Sequence, residues 1–147
     1  MTKHKPVQIV MIEDDEGHAR LIEKNIRRAG ISNELVHFTD GTAALDHLVN
    51  APNGPALNGP ALVLLDLNLP DMSGTDILAR IKADERLHRV PVVVLTTTDD
   101  KREIARCYDL GCNVYITKPV NYESFADAIR QLGLFLSVIQ LPDATEG

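Results

Sequence analysis

The sequence predicts an α/β protein: a five-stranded parallel sheet, doubly wound, with helices on both faces. Three observations carry this reading. Short apolar runs alternate with segments of helical periodicity five times along the chain. The runs Val7–Ile12, Leu62–Leu65 and Val92–Leu95 are apolar almost throughout, as in strands covered on both faces, where a half-solvated sheet would alternate. The run ends are polar, and right-handed crossovers bring all of those ends to one edge of the sheet, where ligands of such folds sit.

The elements follow in order. Val7–Ile12 is a short, mainly β-branched run. Glu16–Ala29 places Ala19, Ile22, Ile26 and Ala29 at helical spacing, with Gly30 as the stop. Glu34–Phe38 is the second strand, and Asp40 is the N-cap of a helix through Leu48. Leu62–Leu65 is the third strand and ends at Asp66. Ser73-Gly-Thr-Asp76 has the form of a capping box for a helix carrying Ile77, Leu78 and Ile81. Val92–Leu95 is the fourth strand. Asp99 or Asp100 then caps a helix that stops at Gly111. Val114–Thr117 is the fifth strand, and Asn121 caps a last helix with Phe125, Ile129 and Leu132 on one face. Between Asn50 and Pro60 a Pro/Gly/Asn-rich loop holds a tandem repeat, Asn53-Gly-Pro-Ala-Leu57 and Asn58-Gly-Pro-Ala-Leu62, read as a tolerated surface insertion.

Composition bounds the function. The 147 residues fit one domain, 1–147, with a core of about 7–133 and an extension over 134–147 that is helical to about 141. An apolar fraction of 44% and a charged fraction of 24% are globular values, and the absence of Trp makes the core aliphatic. The net charge of −6 argues against a DNA-binding surface, which needs a basic stripe. Met1–Pro6 lacks the apolar stretch of a signal peptide, and no apolar run is long enough to cross a membrane, so a cytoplasmic location is expected. Cys107 and Cys112 suit buried free thiols better than a disulfide, and the five histidines show no metal-ligand spacing.

The strand ends carry the chemistry. The first strand leads into Glu13-Asp14-Asp15, the third into Asp66, the fourth into Thr96-Thr97-Thr98 and the fifth into Lys118-Pro119. Carboxylates gathered at one edge repel one another unless a cation sits among them. Hard oxygen ligands suit Mg²⁺. An Asp carboxylate is a competent phosphoryl nucleophile, and a lysine ammonium is a point charge suited to a phosphoryl oxygen.

The stretches Val10-Met-Ile-Glu-Asp-Asp15, Leu64-Leu-Asp-Leu-Asn-Leu-Pro-Asp-Met-Ser-Gly74, Val93-Val-Leu-Thr96 and Val114-Tyr-Ile-Thr-Lys-Pro119 together resemble the receiver domain of response regulators, over roughly residues 7–133. The resemblance implies the flavodoxin-like strand order 2-1-3-4-5. It implies Asp66 as phosphoacceptor, and Mg²⁺ held by Glu13, Asp14, Asp66 and the backbone carbonyl of Asn68, with Glu13 acting through water. Thr96 and Lys118 would bind the phosphoryl oxygens, with Tyr115 and Thr96 as the switch pair. The Lys118–Pro119 bond is expected to be cis, which an X-Pro bond tolerates cheaply. Asn68 and Thr98 occupy positions that tune self-dephosphorylation. Thr97 departs from the small residue common there and adds bulk beside the phosphate pocket. The expected protein is a phosphoacceptor with slow self-dephosphorylation, and not an enzyme in the ordinary sense.

Other classes fit less well. A haloacid-dehalogenase-type phosphatase needs a second Asp two residues after the nucleophile, and here that position is Asn68, which cannot serve as the acid. A dinucleotide-binding enzyme needs a G-x-G-x-x-G after the first strand, and none is present. The alternative from another class is a constitutive receiver-like interaction module that takes no phosphate.

Beyond Gly133 the apolar positions occupy two helical faces, one with Leu136 and Ile139, the other with Leu134, Val138 and Leu141, and Phe135 nearby. One expectation is packing back on the domain. The other is a homodimer through the fourth helix, fifth strand and fifth helix together with the extension, with Phe135, Val138 and Leu141 as interface candidates. The residues beyond the receiver are too few for an output domain, so output is expected to run through contacts. The implied upstream partner is a sensor histidine kinase, and the extension with Leu65-Asp-Leu-Asn-Leu-Pro70 resembles regulators partnered with phytochrome-type kinases.

Overall fold

Alternation along the strands decides the layers. In the computed structural model, which describes residues 7–28, 30–49 and 61–118, β1 spans Gln8–Ile12, β2 Leu35–Phe38, β3 Ala61–Leu65, β4 Val92–Thr96 and β5 Val114–Thr117. Val10 and Ile12 of β1 point to one face, with Val63, Leu65, Val92 and Val94; there they meet Ala44, Leu45, Ile77, Leu78 and Cys107. Ile9 and Met11 point to the other, with Leu62, Leu64, Val93 and Leu95, and meet Ala19, Ile22 and Ile26. The first face is therefore covered by α2 (Gly41–Leu48), α3 (Gly74–Ala83) and α4 (Lys101–Leu110), and the second by α1 (Glu16–Arg28). Strands buried on both sides explain why β3 and β4 read as unbroken apolar runs.

The sheet order is β2-β1-β3-β4-β5 and every pairing is parallel. This is the doubly wound architecture and strand order expected from the sequence. The helix starts are set by the residues the sequence marks. The Asp40 carboxylate accepts from the Ala43 N–H at 2.7 Å, the Ser73 hydroxyl from Thr75 at 3.2 Å, and Asp100 from Arg102 at 2.8 Å. Gly111 closes α4 at φ 107°, a left-handed position that glycine takes without strain. Of Asp99 and Asp100, then, Asp100 is the cap.

Strand boundaries move by one residue. β2 begins at Leu35 where Glu34 is expected, because this edge strand is only half-buried and its start lacks a partner on one side. β4 extends to Thr96, paired with Thr117, which carries the ladder one step beyond the apolar run. Both cysteines are free and buried, as expected. The cis bond at Pro119, the last helix and its extension with Phe135, Val138 and Leu141, Ala29, and the Asn50–Pro60 loop lie outside the described residues; the last two residues of the loop's repeat, Ala61 and Leu62, are buried in β3.

Candidate functional site

The ladders continue past three strand ends and fix the site. The Asp66 N–H donates to the Ile12 carbonyl at 2.9 Å, Glu13 to Phe38 at 2.9 Å, and Lys118 to Thr96 at 2.5 Å. Glu13, Asp66 and Lys118 are thus held by backbone bonds at the carboxyl edge of the sheet, one residue beyond their strands. Asp14 follows Glu13 into solvent.

Glu13, Asp14 and Asp66 each offer a carboxylate oxygen, all within 4.8 Å of one another. Lys118 Nζ lies 2.5 Å from Glu13 Oε1 and 3.4 Å from Asp66 Oδ2. Both carboxylates and the ammonium are buried. Three carboxylates against one ammonium leave a formal charge of −2, which a divalent cation balances. Burial pushes the Glu13 carboxyl above its ordinary value, and the hydrogen bond from Lys118 opposes that. The donor set, hard oxygens with one member in solvent, fits a divalent cation that keeps water.

The β3–α3 loop shapes the floor. The Asn68 N–H donates to Asp66 Oδ1 at 3.1 Å, and its side-chain amide reaches the hydroxyls of Thr96 and Thr97, each at 3.2 Å. Gly74 packs so close that a Cβ there would lie 2.5 Å from both the Asp66 carbonyl oxygen and Leu67 Cα. Asp71 crosses to α2 and accepts from the N–H groups of Gly41 and Thr42, both at 2.8 Å, which with the Thr42 hydroxyl holds its carboxyl down to about 2.

The structure brings together Glu13, Asp14, Asp66, Asn68, Thr96 and Lys118. Tyr115 stands apart from the carboxylates: its hydroxyl donates to the Thr98 carbonyl at 2.6 Å, and burial raises its phenol to about 12. Asp15 immediately precedes α1, and its carboxylate accepts from the His18 N–H at 2.9 Å. Sequence reasoning missed two contacts. His18 Nδ1 lies 3.1 Å from Lys118 Nζ. Its signal was positional: an Asp15 cap puts His18 in the first helical turn, over the strand tips. Asn68 was expected to act through its backbone carbonyl, yet its side-chain amide also ties the β3–α3 loop to Thr96 at the end of β4.

A doubly wound parallel sheet with an acidic cluster and a buried lysine at its carboxyl edge defines a receiver. The chain belongs to the response regulator receiver domain family, whose model matches residues 9–130. It is 35% identical over 140 residues to the response regulator Rcp1 of Synechocystis, covering 95% of each chain. A solved response regulator receiver domain from Rhodospirillum rubrum is 67% identical with a TM-score of 0.78, covering 90% of this chain and 94% of that one. The phosphorylated cyanobacterial phytochrome response regulator RcpA is 35% identical with a TM-score of 0.77, over the same shares of the two chains. Rcp1 has also been solved in an Mn²⁺-bound form, at 35% identity and a TM-score of 0.73, covering 86% of this chain and 91% of that one. The resemblance to phytochrome-associated regulators, expected from the sequence, is borne out by these relatives.

Proposed function

We propose that this chain is a phosphoryl acceptor of a two-component system, charged on Asp66 by a sensor histidine kinase. The observation that carries the reading is the Lys118 ammonium set between buried Glu13 and Asp66, with Asp14 completing an acidic cluster. An Asp66 oxygen attacks the phosphorus of a phosphohistidine. The P–N bond breaks as the O–P bond forms, and the released imidazole regains its proton from solvent. Lys118 turns from the Asp66 carboxylate to an oxygen of the new phosphoryl group. Thr96 accepts from the Asn68 amide and keeps its own hydroxyl proton to donate to another. Glu13, Asp14, Asp66 and the Asn68 carbonyl would hold Mg²⁺, which when bound supplies positive charge against the phosphoryl oxygens.

The switch runs through Thr96 and Tyr115. Movement of Thr96 towards the phosphoryl group opens space beside it. Tyr115 can follow only by giving up its 2.6 Å bond to Thr98, so two arrangements compete. Partner binding then changes across α4 and β5. A phytochrome-type kinase is the proposed donor, on the strength of the relatives. A homodimer built with the extension is proposed from the two apolar faces that its sequence spacing predicts; sedimentation of the full chain tests it, and a monomer with and without phosphorylation refutes it.

The direct test is incubation with acetyl phosphate and Mg²⁺, followed by intact mass. One phosphoryl mass is gained by the wild type and none by Asp66→Asn. No gain, or an undiminished gain in the variant, sinks the assignment.

A further inference from the structure

We infer that His18 is a positioning residue for Lys118: its Nδ1 holds one ammonium proton so that another faces Asp66. The inference rests on the phosphoacceptor reading. An ammonium has three N–H donors and no acceptor. Lys118 has three acceptors within reach: Glu13 Oε1 at 2.5 Å, His18 Nδ1 at 3.1 Å and Asp66 Oδ2 at 3.4 Å. We assign Nδ1 the acceptor role, which belongs to the tautomer with the ring proton on Nε2.

The three contacts are unequal, and the inequality has a direction. The two shorter ones come from the tip of β1 and the first turn of α1. The longest is the one to the phosphoacceptor. Two anchors on fixed elements restrict a side chain with four rotatable bonds to one orientation, and the remaining donor is aimed at the carboxylate that gains the phosphoryl group. That donor is also the easiest to transfer, because its existing bond is the weakest of the three. When Asp66 becomes an acyl phosphate the negative charge sits on the phosphoryl oxygens, farther out, and Lys118 follows it while keeping both anchors.

The anchor is itself anchored. The His18 N–H donates to Asp15 Oδ1, so the cap of α1 sets where the ring begins. The His18 side chain is 45% exposed, so it adds little to the core. Its Nδ1 lies 3.1 Å from Lys118 Nζ and 4.0 Å from Asp15 Oδ2, so the contact with Lys118 is the shorter of the two.

The test compares the rate of phosphoryl loading from acetyl phosphate at fixed Mg²⁺ in the full chain, by intact mass, for the wild type, His18→Leu and His18→Asn. Asparagine places Oδ1 one bond beyond Cγ, as histidine places Nδ1; leucine has nearly the same shape without an acceptor. Loading is expected to fall about fivefold in His18→Leu, which is ~1 kcal/mol of barrier, and to recover to within about twofold of wild type in His18→Asn. A His18→Leu rate equal to or faster than wild type overturns the inference, as does equal slowing in both variants. If the wild type gains no mass, the phosphoacceptor reading itself fails. If it loads and only the His18 series is flat, that reading stands and this inference falls.

Discussion

Lys118 Nζ and Glu13 Oε1 lie 2.5 Å apart although 105 positions separate them in the chain. Both side chains are almost wholly buried. Burying two charges costs more than a surface pair returns, so a pair kept here is better explained by the site than by stability. It draws the ends of the first and last strands together over Asp66.

Removing the ammonium therefore has two opposite consequences. Lys118→Met leaves Glu13 and Asp66 facing each other without a counter-charge. In the presence of a chelator the variant should be less stable by about 3 kcal/mol in urea unfolding, and Mg²⁺ should restore most of the loss. Its Mg²⁺ affinity, by calorimetry, should rise about tenfold because the competing cation is gone. Unchanged affinity would show that Lys118 does not compete at this site.

Gly74 is tested by a single methyl group. The Cβ of Gly74→Ala would meet two backbone atoms, the Asp66 carbonyl oxygen and Leu67 Cα, neither of which can swing aside as a side-chain end would. We expect a loss of about 2–3 kcal/mol in the unfolding free energy, together with slower loading of Asp66. A variant of wild-type stability would mean that the loop moves freely.

Asp71 links the β3–α3 loop to α2. Its carboxyl is held at about 2, with the Thr42 hydroxyl as the main cause and the Gly41 and Thr42 amides adding to it. The native state therefore binds its proton less readily than the unfolded chain. The contribution is present above the ordinary value of 3.8 and is lost as pH falls from there towards 2. The urea midpoint of wild type should exceed that of Asp71→Asn at pH 5, and the two should converge as the pH is lowered through this window. A gap that persists at the acid end would contradict the assignment.

Tyr115 gives an optical reading. Its phenol is raised to about 12, chiefly by burial, so the native state keeps the proton longer than the unfolded chain. The stability it lends is whole below pH 10 and is lost as pH rises towards 12. Phenolate absorbance of the native protein should show a late step that Tyr115→Phe removes. The same variant loses the bond to the Thr98 carbonyl and about 1 kcal/mol of stability. A titration identical to wild type would refute the assignment.

The amino-acid sequence alone determined the element types, because helix and strand periods repeat within a few residues. It also marked residues that end elements: Asp40 and Ser73 open helices through bonds only two or three positions away, and Gly111 closes one, while the choice of Asp100 over Asp99 came from the structure. Glu13, Asp14, Asp66, Thr96 and Lys118 were legible as strand-end residues for the same local reason. The tertiary structure alone decided who touches whom. That Asp71 holds the start of a helix 29 or 30 positions earlier, that the Asn68 amide joins Thr96 and Thr97, and that His18 meets Lys118 follow from the register of parallel strands whose partners lie far apart in the chain. Periodicity carries no distance between elements. Backbone ladders do, and they place a lysine at the end of the fifth strand against a glutamate at the end of the first.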